Sequence, residues 1–467
     1  MELTEKITGI ARAVRRAGGR AMLVGGCVRD RIIGMPVKDC DMEIYGISPE
    51  KLLSVLRGIV EVDSVGMNFG VLKVRHLPID LSLPRRENRS GRGHRGFAVS
   101  VDPVMDFADA SARRDFTVNA IMEDALTGEI VDPHHGREDL RRGILRHVSA
   151  AFSEDPLRVL RGMQFIARFR LTPAPETVAL CARLTQEELP RERIAAEWEK
   201  MLLQGTAVSA GLEFLARCNW VKFYPELDAL RDCPQDPRWH PEGSVWTHTL
   251  LATDAAAAMR RGTPDDLVLM LAVLCHDFGK PETTSVTPEG RIVSPGHDTC
   301  TAPAERFITA IWNRRDLPLK VLPLIAGHMH PWQLAAGDSS DRAYRRLAMS
   351  AGRLDLLADV AEADVRGIAM SESDRAERLG TIDRFRRRCA ELAVADARPE
   401  PLLRGRHLLA HGLTPGRAFK PILDRCFDAQ LSGEFDDLPG ALAYLEALLA
   451  SAPPGAGEGA QEPSCGK

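Results

Sequence analysis

The stretch "VGGCVRDRIIGMPVKDCDMEIYG", residues 24–46, decides the fold. If "KDCDMEIYG" runs as a strand, alternate side chains share a face, so Asp39 and Asp41 point the same way. Carboxylates that close repel unless a cation lies between them. Upstream, Gly25 and Gly26 follow a strand and precede a helix that starts near Cys27. Backbone amides at such a junction approach a phosphate closely, helped by the helix N-terminus. Two aspartates on one strand face hold Mg²⁺ through oxygen ligands. Two such ions activate an attacking hydroxyl and stabilise a leaving pyrophosphate.

Around this stretch the chain is ordinary in bulk. Its 467 residues suffice for two or three domains. Net charge is -4, so the whole molecule carries no polyanion signal. Charge is local instead: "PRRENRSGRGHRG" (84–96) holds five arginines against one glutamate and reads as a surface loop. Ten cysteines without a C-x-x-C pair argue against a zinc ribbon and fit reduced thiols. The N-terminus reads as an amphipathic helix rather than a signal peptide. The apolar run "LVLMLAVLC" (267–275) is too short to span a bilayer. The expectation is a soluble, cytoplasmic protein with no membrane partner.

Residues 1–145 mix helices with the strands "AMLVGG", "DMEIYG", "GVLKV" and "PIDLSLP". From about 146 the pattern is helical, as in "DPLRVLRGMQFIARF" and "RIAAEWEKMLL". "RDCPQDPRWHPEGS" (231–244) is rich in turn residues and reads as a boundary. The fold class is therefore α+β: a small mixed-sheet head over 1–145, then all-α parts. These are a helical neck and body over 146–230, a second helical domain over 231–375 and a helical C-terminal part over 376–450. A disordered Pro/Gly tail follows over 451–467.

"GGCVRD…KDCDMEIYG" resembles the catalytic signature of class II nucleotidyltransferases of the DNA polymerase beta superfamily, and within them the CCA-adding enzymes and bacterial poly(A) polymerases. Four more motifs follow in the family's order: "RRDFTVNAI" (113–121), "DPHHGREDLRRGILR" (132–146), "EDPLRVLRGMQFIARF" (154–169) and "RERIAAEWEKML" (191–202). The resemblance implies that Asp39 and Asp41 are catalytic and hold Mg²⁺. It implies nucleotide contacts from Gly26, Arg29, Arg114, Asp115, Asn119, Asp155, Arg158 and Arg161. Arg113 and Arg114 suit a triphosphate, and either Asp115 or Asn119 suits the ribose hydroxyls. Asp155 and Arg158, three apart, are expected on one helix face. Asp155 accepts from an amino group and Arg158 donates to a ring nitrogen or carbonyl, which selects C and A over G and U. Asp80 is either a third carboxylate or an ordinary strand-end aspartate. In the family, a flexible loop where 84–96 falls is associated with adding the final A, so its presence favours CCA or A addition over CC addition.

Further on, His248, the adjacent His276-Asp277 and Asp364 match the H…HD…D pattern of HD-domain phosphohydrolases. The resemblance implies a divalent ion here, Ni²⁺, Co²⁺, Mn²⁺ or Mg²⁺. Lys280 is placed to hold a phosphate, and His297 and His328 stand where HD enzymes carry further contacts. A class II head with an HD domain resembles one architecture of bacterial CCA-adding enzymes, where the HD domain is associated with hydrolysis of 2',3'-cyclic phosphates and RNA-end repair. The expected partners are the tRNA 3' end, CTP and ATP. The alternatives are an A-adding tRNA nucleotidyltransferase or a poly(A) polymerase, and a tRNA-binding protein with inactive sites. Oligomeric state leaves no trace in the sequence.

Overall fold

The computed structural model describes residues 2–63, 71–89, 97–186, 189–337 and 339–451. It divides into two compact units. One holds the chain up to Ala229 with Thr309–Asn313, and the other holds Leu230–Ile308 and the chain from Arg314 onward.

The first unit is built on strands β1 (Arg20–Val24), β2 (Cys40–Tyr45), β3 (Val62–Asp63), β4 (Val71–Val74), β5 (Ile79–Ser82), β6 (Arg85–Arg89), β7 (Phe97–Val101), β8 (Met122–Asp124) and β9 (Ile130–Val131). Seven form one sheet in the order β3-β4-β5-β2-β1-β8-β9, and β6 pairs with β7 as a separate ribbon. The contact between β2 and β5 is parallel. The mixed-sheet head read from the sequence is thus the fold observed.

Burial along β2 shows why one face carries chemistry. Cys40, Met42 and Ile44 are buried, whereas Asp39 and Asp41 are exposed. The buried face packs on Ile7, Ile10 and Val14 of the helix Glu2–Arg16 and on Leu52 and Leu56 of the helix Pro49–Leu56. That second helix starts cleanly because Ser48 accepts from the Lys51 amide and Pro49 takes its first turn. The other face is closed only in part, by Met22, Val24, Tyr45 and Met122 against Phe107. The basic stretch is not all loop. Arg85–Arg89 forms β6, paired residue by residue with β7, because "FAVSV" supplies a β partner. Residues 90–96 of that expected loop lie outside the described residues.

After the sheet, helices Leu157–Phe169, Arg191–Gln204 and Val208–Arg217 pack on one another. Trp198 and Trp220 are fully buried there. Each satisfies its indole N–H, on the Tyr224 hydroxyl and the Cys181 carbonyl respectively.

In the second unit every residue of the helix Asp266–Cys275 is buried. Its apolar run is therefore the centre of a globular core, and no helix among the described residues is long and apolar enough to cross a membrane. Helices Val245–Met259 and Leu354–Gly367 belong to the same unit. A boundary expected at 375/376 falls inside the single helix Glu372–Glu391, whose few buried residues, Thr381, Ile382, Phe385 and Cys389, give little apolar signal. The last helices, Gly405–Ala410, Phe419–Ser432 and Leu438–Ala450, share their own small core around Leu408, Cys426 and Leu445.

One glycine ties the head together. Asp132 accepts from the amides of Gly136 and Arg137, and a Cβ on Gly136 would lie 2.1 Å from the Thr117 carbonyl oxygen. Gly136→Ala must push the helix Gly136–Arg142 off the Thr117–Asn119 turn. Overpacking of this kind costs about 1–3 kcal/mol, so scanning calorimetry should show a lowered melting transition. An unshifted thermogram would contradict this packing.

Candidate active site and candidate metal centre

In the head, ladder register builds the carboxylate cluster. Asp41 stands opposite Val24 of β1 and opposite Asp80 of β5. Asp39 precedes β2 by one residue and keeps its alternation, exposed like Asp41. Partial desolvation raises the Asp41 carboxyl, Arg114 opposes this, and Asp39 and Asp80 raise it again, leaving it above the ordinary range. Lys73 lies 3.8 Å from Asp80, a loose pair at an exposed edge. The site therefore has three carboxylates on neighbouring strand positions and a net deficit of positive charge, which suits Mg²⁺.

Gly25 makes this cluster accessible. Its φ of +74 turns the chain from β1 into the helix Gly26–Ile32. A Cβ there would meet Arg114 Nη1 at 3.2 Å and Asp41 Oδ2 at 3.4 Å. Arg114 Nη2 is 3.9 Å from Glu43, and its Nε is buried without a partner. Glu43 is held by the Tyr45 hydroxyl, which donates at 2.6 Å.

Behind the glycines lies a buried polar chain. Arg29 is 4% exposed, donates to Asn119 Oδ1 at 2.7 Å and to Asp30, and stacks over Phe169. Asn119 donates to Asp115 Oδ1 at 2.9 Å, and Arg161 grips Asp115 Oδ2 with Nε at 2.8 Å and Nη2 at 2.6 Å. Burial alone would raise the Asp115 carboxyl, but Arg161 and Asn119 outweigh it and hold it low. Arg29, Asn119, Asp115 and Arg161 are thus brought together, with their polar groups largely engaged by one another. Gly26 opens the helix just above Arg29.

The Asp155–Arg158 geometry differs from the expectation. Asp155 has extended backbone and sits before the helix Leu157–Phe169, not on its face. Its Oδ1 accepts from the Leu157 amide at 3.2 Å and its Oδ2 pairs with Arg193 at 2.8 Å. The reason is Pro156, which lacks an N–H and starts the helix, leaving Asp155 to cap it. Arg158 donates to the carbonyls of Ala151 and Arg113 at 2.8 and 2.6 Å. Arg113 itself pairs with Glu154 at 2.9 Å.

In the second unit four expected residues converge. His248 Nε2 lies 2.9 Å from Asp364 Oδ1 and 3.2 Å from His276 Nε2. Asp277 Oδ2 is 3.3 Å from His276 Nε2 and 4.0 Å from His248 Nε2. The outer nitrogens face acceptors: His248 Nδ1 meets Glu242 at 3.0 Å, and His276, His328 and His297 Nδ1 meet the carbonyls of Val273, Ile325 and Ser294 at 2.7, 2.7 and 2.8 Å. That fixes the N–H on Nδ1 and leaves every Nε2 lone pair to ligate. Asp277, His297 and His328 form a second potential ligand triad. Asp277 Oδ1 is 3.5 Å from His297 Nε2, and neither Asp277 oxygen accepts a well-formed hydrogen bond despite burial. Lys280 Nζ balances it in part at 2.7 Å. Burial would lower the His248 imidazole, but Asp364 and Glu242 raise it to about 9, so without a cation a proton takes the cation's place. Burial and His276 push His328 down to about 4. An N/O donor set with orphaned buried oxygens fits a first-row divalent ion.

Glu242 and Gln235 escaped the sequence reading, because "RDCPQDPRWHPEGS" has the composition of a linker. The unit boundary falls at its start, and the stretch itself lines the cavity of the candidate metal centre through Gln235, Trp239 and His240. The only cue was a glutamate six residues before a histidine of the metal set.

Residues 21–146 match the poly A polymerase head domain family. This part of the first unit is thus similar to the head domain of poly A polymerases. Within that class the chain is similar to multifunctional CCA proteins. It is 38% identical to that of Xylella fastidiosa strain M23 over 276 residues, 57% of this chain and 64% of the relative. It is 40% identical to that of Alkalilimnicola ehrlichii over 274 residues, 57% of this chain and 64% of the relative. The matched stretch thus spans a little under two thirds of these relatives. In fold the chain is similar to the Bacillus stearothermophilus CCA-adding enzyme in complex with CTP, with TM-score 0.62, 22% identity and coverage of 96% and 98%. It is also similar to the Thermotoga maritima CCA-adding enzyme complexed with tRNA, with TM-score 0.60, 16% identity and coverage of 95% and 94%.

Of three potential ligand groups, Glu242 in the one with His240 and His248 is taken up by the two histidine Nδ1 atoms, so the other two triads give the count. In an Asp39→Ala/Asp41→Ala background, equilibrium dialysis with Ni²⁺ should find two ions bound through the second unit. His328→Ala should retain one and Asp277→Ala neither. An unchanged stoichiometry in Asp277→Ala would remove the assignment.

Proposed function

We propose that the protein is a cytoplasmic CCA-adding tRNA nucleotidyltransferase that joins C, C and A to the tRNA 3' end from CTP and ATP and releases pyrophosphate. The observation that carries this reading is the Asp39, Asp41 and Asp80 cluster beside the Gly25 turn, in a head of the poly A polymerase type. The terminal 3'-hydroxyl oxygen of the tRNA attacks the α-phosphorus, the α–β phosphoanhydride bond breaks, and the hydroxyl proton passes to a carboxylate of the cluster. Asp39 and Asp41 would hold Mg²⁺, which would supply positive charge to offset the charge that develops during transfer. Arg114, whose Nη1 lies with Asp41 Oδ2 beside Gly25 and whose Nε is buried without a partner, suits the triphosphate. The buried chain of Arg29, Asn119, Asp115 and Arg161 holds the ribose pocket and the selecting helix in register.

Base choice falls to Asp155 and Arg158. Arg158 is held by two main-chain carbonyls rather than neutralised by Asp155. C and A each offer an amino donor beside a ring acceptor, whereas G and U place a donor opposite the arginine. No template is needed. The poly(A) polymerase alternative shares the head. The similarity to multifunctional CCA proteins beyond the head, over 57% of the chain, favours CCA addition.

The second unit is proposed as an independent phosphohydrolase for RNA-end repair, acting on 2',3'-cyclic phosphates. His248, His276, Asp277 and Asp364 would hold one divalent ion, and Asp277, His297 and His328 could hold a second. Ions of this kind lower the pKa of bound water and polarise the phosphoester. The water oxygen bonds to phosphorus, one P–O ester bond breaks, and a water proton ends on the released ribose oxygen, giving a phosphomonoester. Lys280 is placed to neutralise the phosphate.

Asp39→Ala or Asp41→Ala should reduce addition of both C and A to below a few per cent of wild type while tRNA binding persists. Arg158→Ala should admit UTP and GTP, since the lost hydrogen bonding removes about 1–3 kcal/mol of discrimination. Unaltered C and A preference in that variant would reduce Arg158 to a structural residue.

A further inference from the structure

All six tryptophans of the chain are described, and four are buried: Trp198, Trp220, Trp246 and Trp312. The other two, Trp239 and Trp332, are 60% and 40% exposed. Both line the one cavity that also contains the metal-ligand residues Asp277, His297, His328 and Asp364. Large aromatic rings are left in water at a cost, and two of them at one cavity mark a surface meant to be covered. Between them stands Arg378, whose guanidinium carbon lies 5.9 Å from the Trp239 ring and 5.7 Å from the Trp332 ring. No carboxylate is paired with Arg378 among the described residues. On the same cavity wall, Gln235 is 7% exposed, accepts from Lys280 Nζ at its Oε1 at 2.6 Å and leaves its Nε2 buried without a partner.

These features call for a ligand with a flat aromatic part, an anionic part and a hydrogen-bond acceptor. The cavity, of about 450 Å³, is the size of a small-ligand site. We propose that Trp239 and Trp332, with Arg378, form a base-stacking rim that makes the second-unit centre specific for phosphoesters of nucleosides rather than for small phosphates. The base stacks on an exposed indole, the ester lies toward Lys280 and Asp277, and Arg378 and the free Gln235 N–H meet the nucleotide's anionic and acceptor groups. Stacking of this kind is tolerant of sequence, because every base has a π-face. It therefore suits a site that must accept RNA ends of any sequence, and it favours purines through their larger ring. This specificity rests on the phosphohydrolase reading of the metal centre.

The test uses the full chain and separates the two readings. Calorimetry without added metal measures binding of adenosine 2'-monophosphate and of ribose 5-phosphate. Wild type should bind the nucleotide more tightly, and Trp239→Leu or Trp332→Leu should weaken that binding roughly five- to hundredfold without changing ribose 5-phosphate. Trp332→Phe, which keeps a ring, should restore most of the affinity. With Ni²⁺ bound, the same leucine variants should raise KM for adenosine 2',3'-cyclic phosphate while kcat and the hydrolysis of 1-O-methylribose 2,3-cyclic phosphate stay near wild type. Both indoles are exposed, so circular dichroism should be unaltered. Equal affinity of wild type and both leucine variants for the nucleotide would overturn the stacking rim. If wild type hydrolysed neither cyclic ester with Ni²⁺, Co²⁺, Mn²⁺ or Mg²⁺, the hydrolase reading would fall, and the calorimetry alone would decide whether the rim binds bases.

Discussion

The repulsion between carboxylates on one strand face shapes the head. Asp39, Asp41 and Asp80 come together because β2 alternates and because its parallel pairing with β5 sets Asp80 opposite Asp41. Two unit charges about 5 Å apart at the effective dielectric of a protein surface repel by about 3 kcal/mol. Arg114 and Lys73 relieve part of this, and a divalent ion would relieve the rest. The helix Glu2–Arg16, the left-handed turn at Gly25 and the buried Arg29–Asn119–Asp115–Arg161 chain all hold the strands that enforce it. The cluster thus carries an unmet need for cations, which the proposed metal would meet.

The same physics recurs in the second unit with nitrogen ligands. Each histidine spends its Nδ1 on an acceptor, Glu242 or a main-chain carbonyl. The inward Nε2 atoms of His248 and His276 then face each other at 3.2 Å, an arrangement that requires a proton or a metal between them. Asp277 extends it by facing both triads, with both its oxygens buried and poorly satisfied.

Much of this was legible in the sequence where chemistry and periodicity coincide. The alternation of "KDCDMEIYG" gave the face shared by Asp39 and Asp41, and strand-like runs bounded by Gly and Pro gave β1, β2, β4 and β5. What stayed hidden depends on tertiary context. Asp155 and Arg158 looked like a helix pair by spacing, yet Pro156 puts the helix start between them. β6 hid inside an arginine-rich run because its partner strand, not its composition, defines it. Residues 231–244 looked like a linker because Pro and charge dominate them, although Glu242 orients His248 and Trp239 lines the cavity. The helix Glu372–Glu391 ran across an expected boundary because its charged surface masks a narrow buried stripe.

Extension of a tRNA that ends immediately before CCA, resolved to single nucleotides, tests the central account most directly. With Mg²⁺ and CTP alone, the product should grow by two residues and stop. ATP alone should leave it unextended, and both together should add three residues and no more. A ladder of adenosines from ATP alone, or a single adenosine added only to tRNA already ending in CC, would contradict the account.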